Sequence, residues 1–106
     1  MELKAKTEGR KLTLQLQGEL DHHAARQLMR EIDLIVEREA PRQLVLNFAA
    51  VSFMDSSGIA VVMRARRRMQ ELGGIAAVVD VPPQAGRVLE AAGIGRWIRV
   101  EGEVTV

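Results

Sequence analysis

The sequence predicts an α/β domain: a mixed β-sheet that opens with an N-terminal hairpin and is covered by α-helices. Three observations predict it. Apolar and polar residues alternate with a period of two through the opening segment, and from Ala24 the period lengthens to that of a helix. Short apolar runs then alternate with helical stretches, the pattern of βαβ units. Pro41, Gly73-Gly74, Pro82-Pro83 and Gly93 fall where those segments should begin or end.

Taken in order, Leu3 and Ala5 alternate with charged residues, and Leu12, Leu14 and Leu16 alternate with Thr13, Gln15 and Gln17. With Glu8-Gly9 between them, these runs read as a hairpin with one buried face, its second strand closed by Gly18. Ala25, Leu28, Met29, Ile32, Ile35 and Val36 share one helical face, and Pro41 ends that helix. Asp21 is its expected N-cap, with His22 and His23 in the first turn. A buried strand follows from Leu44 to Phe48. A loop, Asp55-Ser56-Ser57-Gly58, then leads into a helix from Ile59 to Leu72 that stops at Gly73-Gly74. Ile75 to Val79 is a strand, Pro82-Pro83 open a third helix that ends near Gly93, and Trp97 to Val100 form a last short strand. The tail beyond it carries no assignment.

Composition narrows the function. At 106 residues, residues 1–106 are expected to form one domain, with 47% hydrophobic and 27% charged residues. A net charge of +1 and 3% aromatics argue against nucleic-acid and anionic-membrane partners. No cysteine is present, which removes disulfides, thiolate metal sites and cysteine nucleophiles. Met1-Glu2-Leu3-Lys4 lacks the layout of a signal peptide and no apolar run is long enough to span a bilayer, so a cytoplasmic protein is expected.

The Asp55-Ser56-Ser57-Gly58 loop concentrates the chemistry. At a helix start, backbone N–H groups and the helix dipole favour a polar or negative group. Three roles fit: Asp55 or Ser56 as a helix cap, a serine nucleophile, or a phosphate acceptor. A hydrolase lacks support, because neither Gly-x-Ser-x-Gly nor Ser-x-x-Lys occurs and His22 and His23 are the only histidines. No Walker phosphate loop is present. Gly58 sacrifices helix propensity in the first turn, which suggests open access to the hydroxyls. On a helical projection Val61, Val62, Ala65, Met69 and Leu72 face the core. Ser56, Ala60, Met63 and Arg67, flanked by Ile59, form an outward stripe that suits a modest protein-binding surface. Adjacent histidines beside Asp21 in a turn rarely converge on one ion, so no metal site is expected. Arg64-Ala65-Arg66-Arg67-Arg68 reads as a solvated helix face rather than a nucleic-acid patch.

Gly18-Glu19-Leu20-Asp21-His22-His23 and Val51-Ser52-Phe53-Met54-Asp55-Ser56-Ser57-Gly58-Ile59 together resemble the STAS-domain anti-sigma factor antagonists, most of all the sporulation branch that acts on an anti-sigma F factor. The likeness extends over nearly the whole chain. Two departures stand out: Ala49-Ala50 replaces a pair that is often acidic in that family, and Ala60 stands where a second glycine is common.

The resemblance implies a partner-switching regulator rather than an enzyme. The unmodified protein would bind an anti-sigma factor that is itself a serine kinase and so release the sigma factor. Phosphorylation of Ser56 would end that binding, and a serine phosphatase would restore it. The domain would carry no cofactor, since ATP and Mg²⁺ belong to the kinase, and would be a monomer when free. Asp21, Asp55, Ser56, Ser57, Gly58, Ile59, Met63 and Arg67 are the implied partner-binding residues, with Ser57 a neighbour rather than an acceptor. Two relatives of this reading are an antagonist for a stress-response sigma factor and a STAS scaffold that is not phosphorylated.

Overall fold

The alternation closes into one five-stranded sheet. A computed structural model describes residues 1–102, so residues 103–106 of the unassigned tail lie outside it. The elements are β1 (Glu2–Glu8), β2 (Lys11–Leu20), α1 (His22–Glu39), β3 (Gln43–Met54), α2 (Ser57–Glu71), β4 (Ile75–Val81), α3 (Pro83–Ala91), a 3₁₀ turn (Ile94–Arg96) and β5 (Arg99–Gly102). Strand order follows chain order, β1-β2-β3-β4-β5. Among the described residues only the opening hairpin is antiparallel, with Glu8 opposite Lys11, and the other three pairings are parallel. A parallel neighbour needs a crossover, and α1, α2 and α3 supply the three.

One face of the sheet carries the helices. Leu12, Leu14 and Leu16 of β2 and Leu44, Leu46 and Phe48 of β3 are fully buried. They share a core with Leu28, Ile32 and Val36 of α1, Val61, Val62 and Met69 of α2, and Leu89 of α3. The alternate residues Thr13, Gln15, Asn47 and Val79 are half-exposed, which is how a sheet covered on one side distributes its side chains. The hairpin's buried face belongs to β2 alone, because Ala5 is exposed and only Leu3 of β1 packs against the core.

Several boundaries differ from expectation. β2 does not close at Gly18 but runs on to Leu20. Gly18 lies in the strand with φ of +115°, beside a shift in the β2–β3 register, and only glycine adopts that geometry without strain. β3 extends six residues past Phe48 to Met54, which shortens the connection before α2 to Asp55 and Ser56. Its second half was unreadable because register shifts at Gln15/Gln17 and Gly18/Glu19 break the period of two. Leu72, expected in the core, is 42% exposed, since α2 ends at Glu71 and Gly73 turns the chain at φ of +73°. Trp97 lies before β5 rather than in it, is 54% exposed, and follows the 3₁₀ turn that ends the α3 connection.

Candidate functional site

Helix starts and strand ends converge at one end of the sheet, where β2 and β3 finish. The Asp55 N–H donates to the Leu20 carbonyl at 3.3 Å, so the chain leaving β3 lies against the chain leaving β2. Asp21 is therefore a close neighbour of the serine loop. Its Oδ1 accepts from the Ala24 N–H at 2.9 Å, the capping role expected of it, and His22 and His23 are exposed in the first turn of α1. Among the described residues no three His, Cys, Asp or Glu side chains group together.

Within the loop the two candidate caps divide. Asp55 Oδ1 accepts from the Ser57 N–H at 2.8 Å, and the Asp55 carbonyl accepts from the Gly58 N–H at 3.1 Å. Ser56 has helical dihedrals, its carbonyl accepts from the Ile59 N–H at 3.1 Å, and its side chain makes no capping bond. Capping thus falls to Asp55, and the Ser56 hydroxyl makes no hydrogen bond among the described residues. Ser56 is exposed, whereas Ser57 is half-buried.

Gly58 has a different task from the one its sequence position suggested. It is buried, and a Cβ there would sit 2.5 Å from Met54 Cγ, against Met54 Sδ, and 3.1 Å from Leu20 Cδ2. It is small because Met54 and Leu20 fill the space beneath it, not because it clears an approach from solvent.

The outward stripe of α2 also narrows. Ala60 and Arg67 are exposed, but Ile59 and Met63 are half-buried and pack against the core, so Met63 is not the free surface residue the projection implied. The projection fixes direction about the axis and takes no account of how far neighbouring elements wrap around it. In the basic run, Arg64 donates to Asp33 of α1 from Nη2 at 2.6 Å and Nε at 3.1 Å. That hydrogen bond, and then the Asp33 charge, raise the Arg64 pKa. Arg68 lies 3.7 Å from both Asp33 and Glu71. Arg66 donates to the Trp97 carbonyl at 2.7 Å with its guanidinium over the indole. Three of the four arginines therefore tie elements together, which leaves Arg67 as the surface cation of the stripe.

Sequence reasoning missed Gln84. From the first turn of α3 its Oε1 accepts from the Met54 N–H and its Nε2 donates to the Met54 carbonyl, both at 2.8 Å. A side-chain amide thus pairs with the last main-chain unit of β3, two residues before Ser56, and fixes α3 against the loop. Nothing local marks Gln84, because its partner lies 30 residues away. Between α2 and α3 runs a groove of about 720 Å³, with Ser56 and Ile59 on one side and Gln84, Arg87, Val88 and Ala91 on the other. Phe53, 45% exposed, adds an aromatic surface just before the loop.

The model of the STAS domain matches residues 2–105. An anti-sigma F factor antagonist of Paenibacillus polymyxa is 35% identical over 83 residues, 78% of this chain and 71% of that protein. The solved structure of SpoIIAA, an anti-sigma factor antagonist, in its unphosphorylated form superposes with a TM-score of 0.80 at 29% identity, covering 93% of this chain and 87% of that one. The phosphorylated form of SpoIIAA, a Bacillus cell fate determinant, gives 0.71 at 29% identity, with 93% and 90% covered.

Proposed function

The chain belongs to the STAS domain family, and on that basis we propose that it is an anti-sigma factor antagonist switched off by phosphorylation of Ser56. One observation carries the choice of residue: of two adjacent serines, Ser56 is exposed with its hydroxyl free of any capping bond, while Ser57 is half-buried. That SpoIIAA exists in both phosphorylation states supports a switch of this kind.

In this reading the unmodified domain binds an anti-sigma factor through Asp21, the serine loop and the exposed part of α2, and the sigma factor is released. The anti-sigma factor is also the kinase, and its own ATP and Mg²⁺ supply the phosphoryl group. The Ser56 oxygen attacks the γ-phosphorus, ADP leaves, and the hydroxyl proton passes to a base on the kinase. A phosphatase returns the serine. The domain itself acts by binding rather than catalysis, as a monomer in the cytoplasm, and the setting is a sporulation programme.

Interface chemistry explains the switch. A phosphoserine adds about −1.5 to −2 charge, and a dianion at a contact surface must be desolvated or meet like charge. Calorimetry against the cognate anti-sigma factor tests this. Ser56→Asp should weaken binding at least about tenfold, about 1.4 kcal/mol, with a nearly unchanged melting temperature. A melting temperature that falls in parallel with affinity would contradict an interface mechanism.

A further inference from the structure

The start of α2 has little to offer a phosphate. Its first N–H groups are already engaged: Ser57 donates to Asp55 Oδ1, Gly58 to the Asp55 carbonyl and Ile59 to the Ser56 carbonyl. The group that caps the helix is itself a carboxylate, so a phosphoryl group on Ser56 meets a negative neighbour rather than a set of free donors. Asp21 stands close by across the Leu20–Asp55 contact. A dianion in this setting needs a cation from another element.

The α2–α3 groove provides one. Among the described residues, Arg87 lines it together with Ser56 and is the only charged side chain that does so. Arg87 is exposed and takes part in no ion pair among the described residues. Its position is fixed from the Ser56 side. Gln84 pins the first turn of α3 to Met54 through two bonds of 2.8 Å, and Arg87 follows three residues later, one turn along the same helical face. The rest of the wall, Val88 and Ala91, is apolar, which strengthens a charge pair formed beside it.

We propose that Arg87 is the counter-ion of phosphorylated Ser56, folding across the α2–α3 groove to hold the phosphoryl group. A guanidinium suits this task because its planar fork engages two phosphate oxygens at once. The inference rests on the reading of Ser56 as the modified residue. Its consequence is that the phosphate is drawn toward α3 and partly shielded, so Arg87 sets how strongly the switched-off state presents its charge and how readily a phosphatase removes it.

The test needs no kinase. Phosphoserine is placed at position 56 of the full chain during translation by suppression of a reassigned codon, and its phosphorus resonance is followed through a pH titration. An ordinary phosphoserine titrates near pH 6. The wild-type midpoint should lie below that of a variant lacking the Arg87 charge. Arg87→Gln should raise it by about half a pH unit, and Arg87→Lys should restore part of the difference. The gap between wild type and Arg87→Gln should shrink at 1 M salt, where screening is strong. Identical midpoints for wild type and Arg87→Gln would overturn the proposal. Melting of the unmodified variants checks that the exposed substitution leaves the fold intact. If the cognate kinase leaves Ser56 unmodified, the functional reading fails, yet the titration still decides the pairing.

Discussion

Gly58 sits over Met54 and Leu20 with no room for a methyl group, and this contact decides what a small change there will do. Gly58→Ala gains helix propensity of up to about 1 kcal/mol. Crowding a fully buried Met54 costs about 1–3 kcal/mol, so the variant should be destabilised by up to about 2 kcal/mol. Denaturant unfolding checks it, and a stabilised variant would show that Met54 moves aside freely. Asp55→Ala should cost about 1 kcal/mol by removing the bond to the Ser57 N–H, whereas Ser56→Ala should be nearly neutral. The sequence allowed either residue to be the cap. The choice between them depends on backbone dihedrals, and both residues are favoured cap types. Asp21 was legible because a single cap type precedes a long, strongly periodic helix.

Each helix crossover was visible in the sequence, but the joints between elements were not. Periodicity located the core faces of α1 and α2 through Leu28, Ile32, Val61 and Met69. It could not reveal the bond from Gln84 to Met54, nor the half-burial of Met63, because both are set by neighbours distant in the chain. Gln84→Leu strips the Met54 N–H and carbonyl of their partners and should cost about 1–3 kcal/mol. Hydrogen exchange at the Met54 amide should rise more than at the Leu46 amide in mid-β3. Equal protection in variant and wild type would mean that α3 does not depend on this contact. Met63→Glu should now lower stability by about 1 kcal/mol as well as affinity, since half of an apolar side chain is withdrawn from the core. Arg67→Glu is the cleaner interface probe: partner affinity should fall with little change in melting temperature. An unchanged affinity would remove Arg67 from the binding surface.

For the molecule as a whole, the mixed sheet with one covered face serves to gather the starts of α1, α2 and α3 at one end, beyond the last residues of β2, β3 and β4. Asp21, Asp55-Ser56 and Gln84 meet there although they lie far apart in sequence. Because the loop is pinned by Leu20, by Asp55 itself and by Gln84, a phosphoryl group should alter the surface of the domain and leave its fold in place. Circular dichroism of the unmodified and modified forms should coincide, and loss of helical signal on modification would contradict a rigid switch. The central claim is the identity of the acceptor, and the direct measurement is incubation with the cognate anti-sigma factor and ATP followed by site mapping on the intact chain. The account predicts one phosphate, on Ser56, and none on Ser56→Ala. Phosphate on Ser57, or retained by Ser56→Ala, would contradict it.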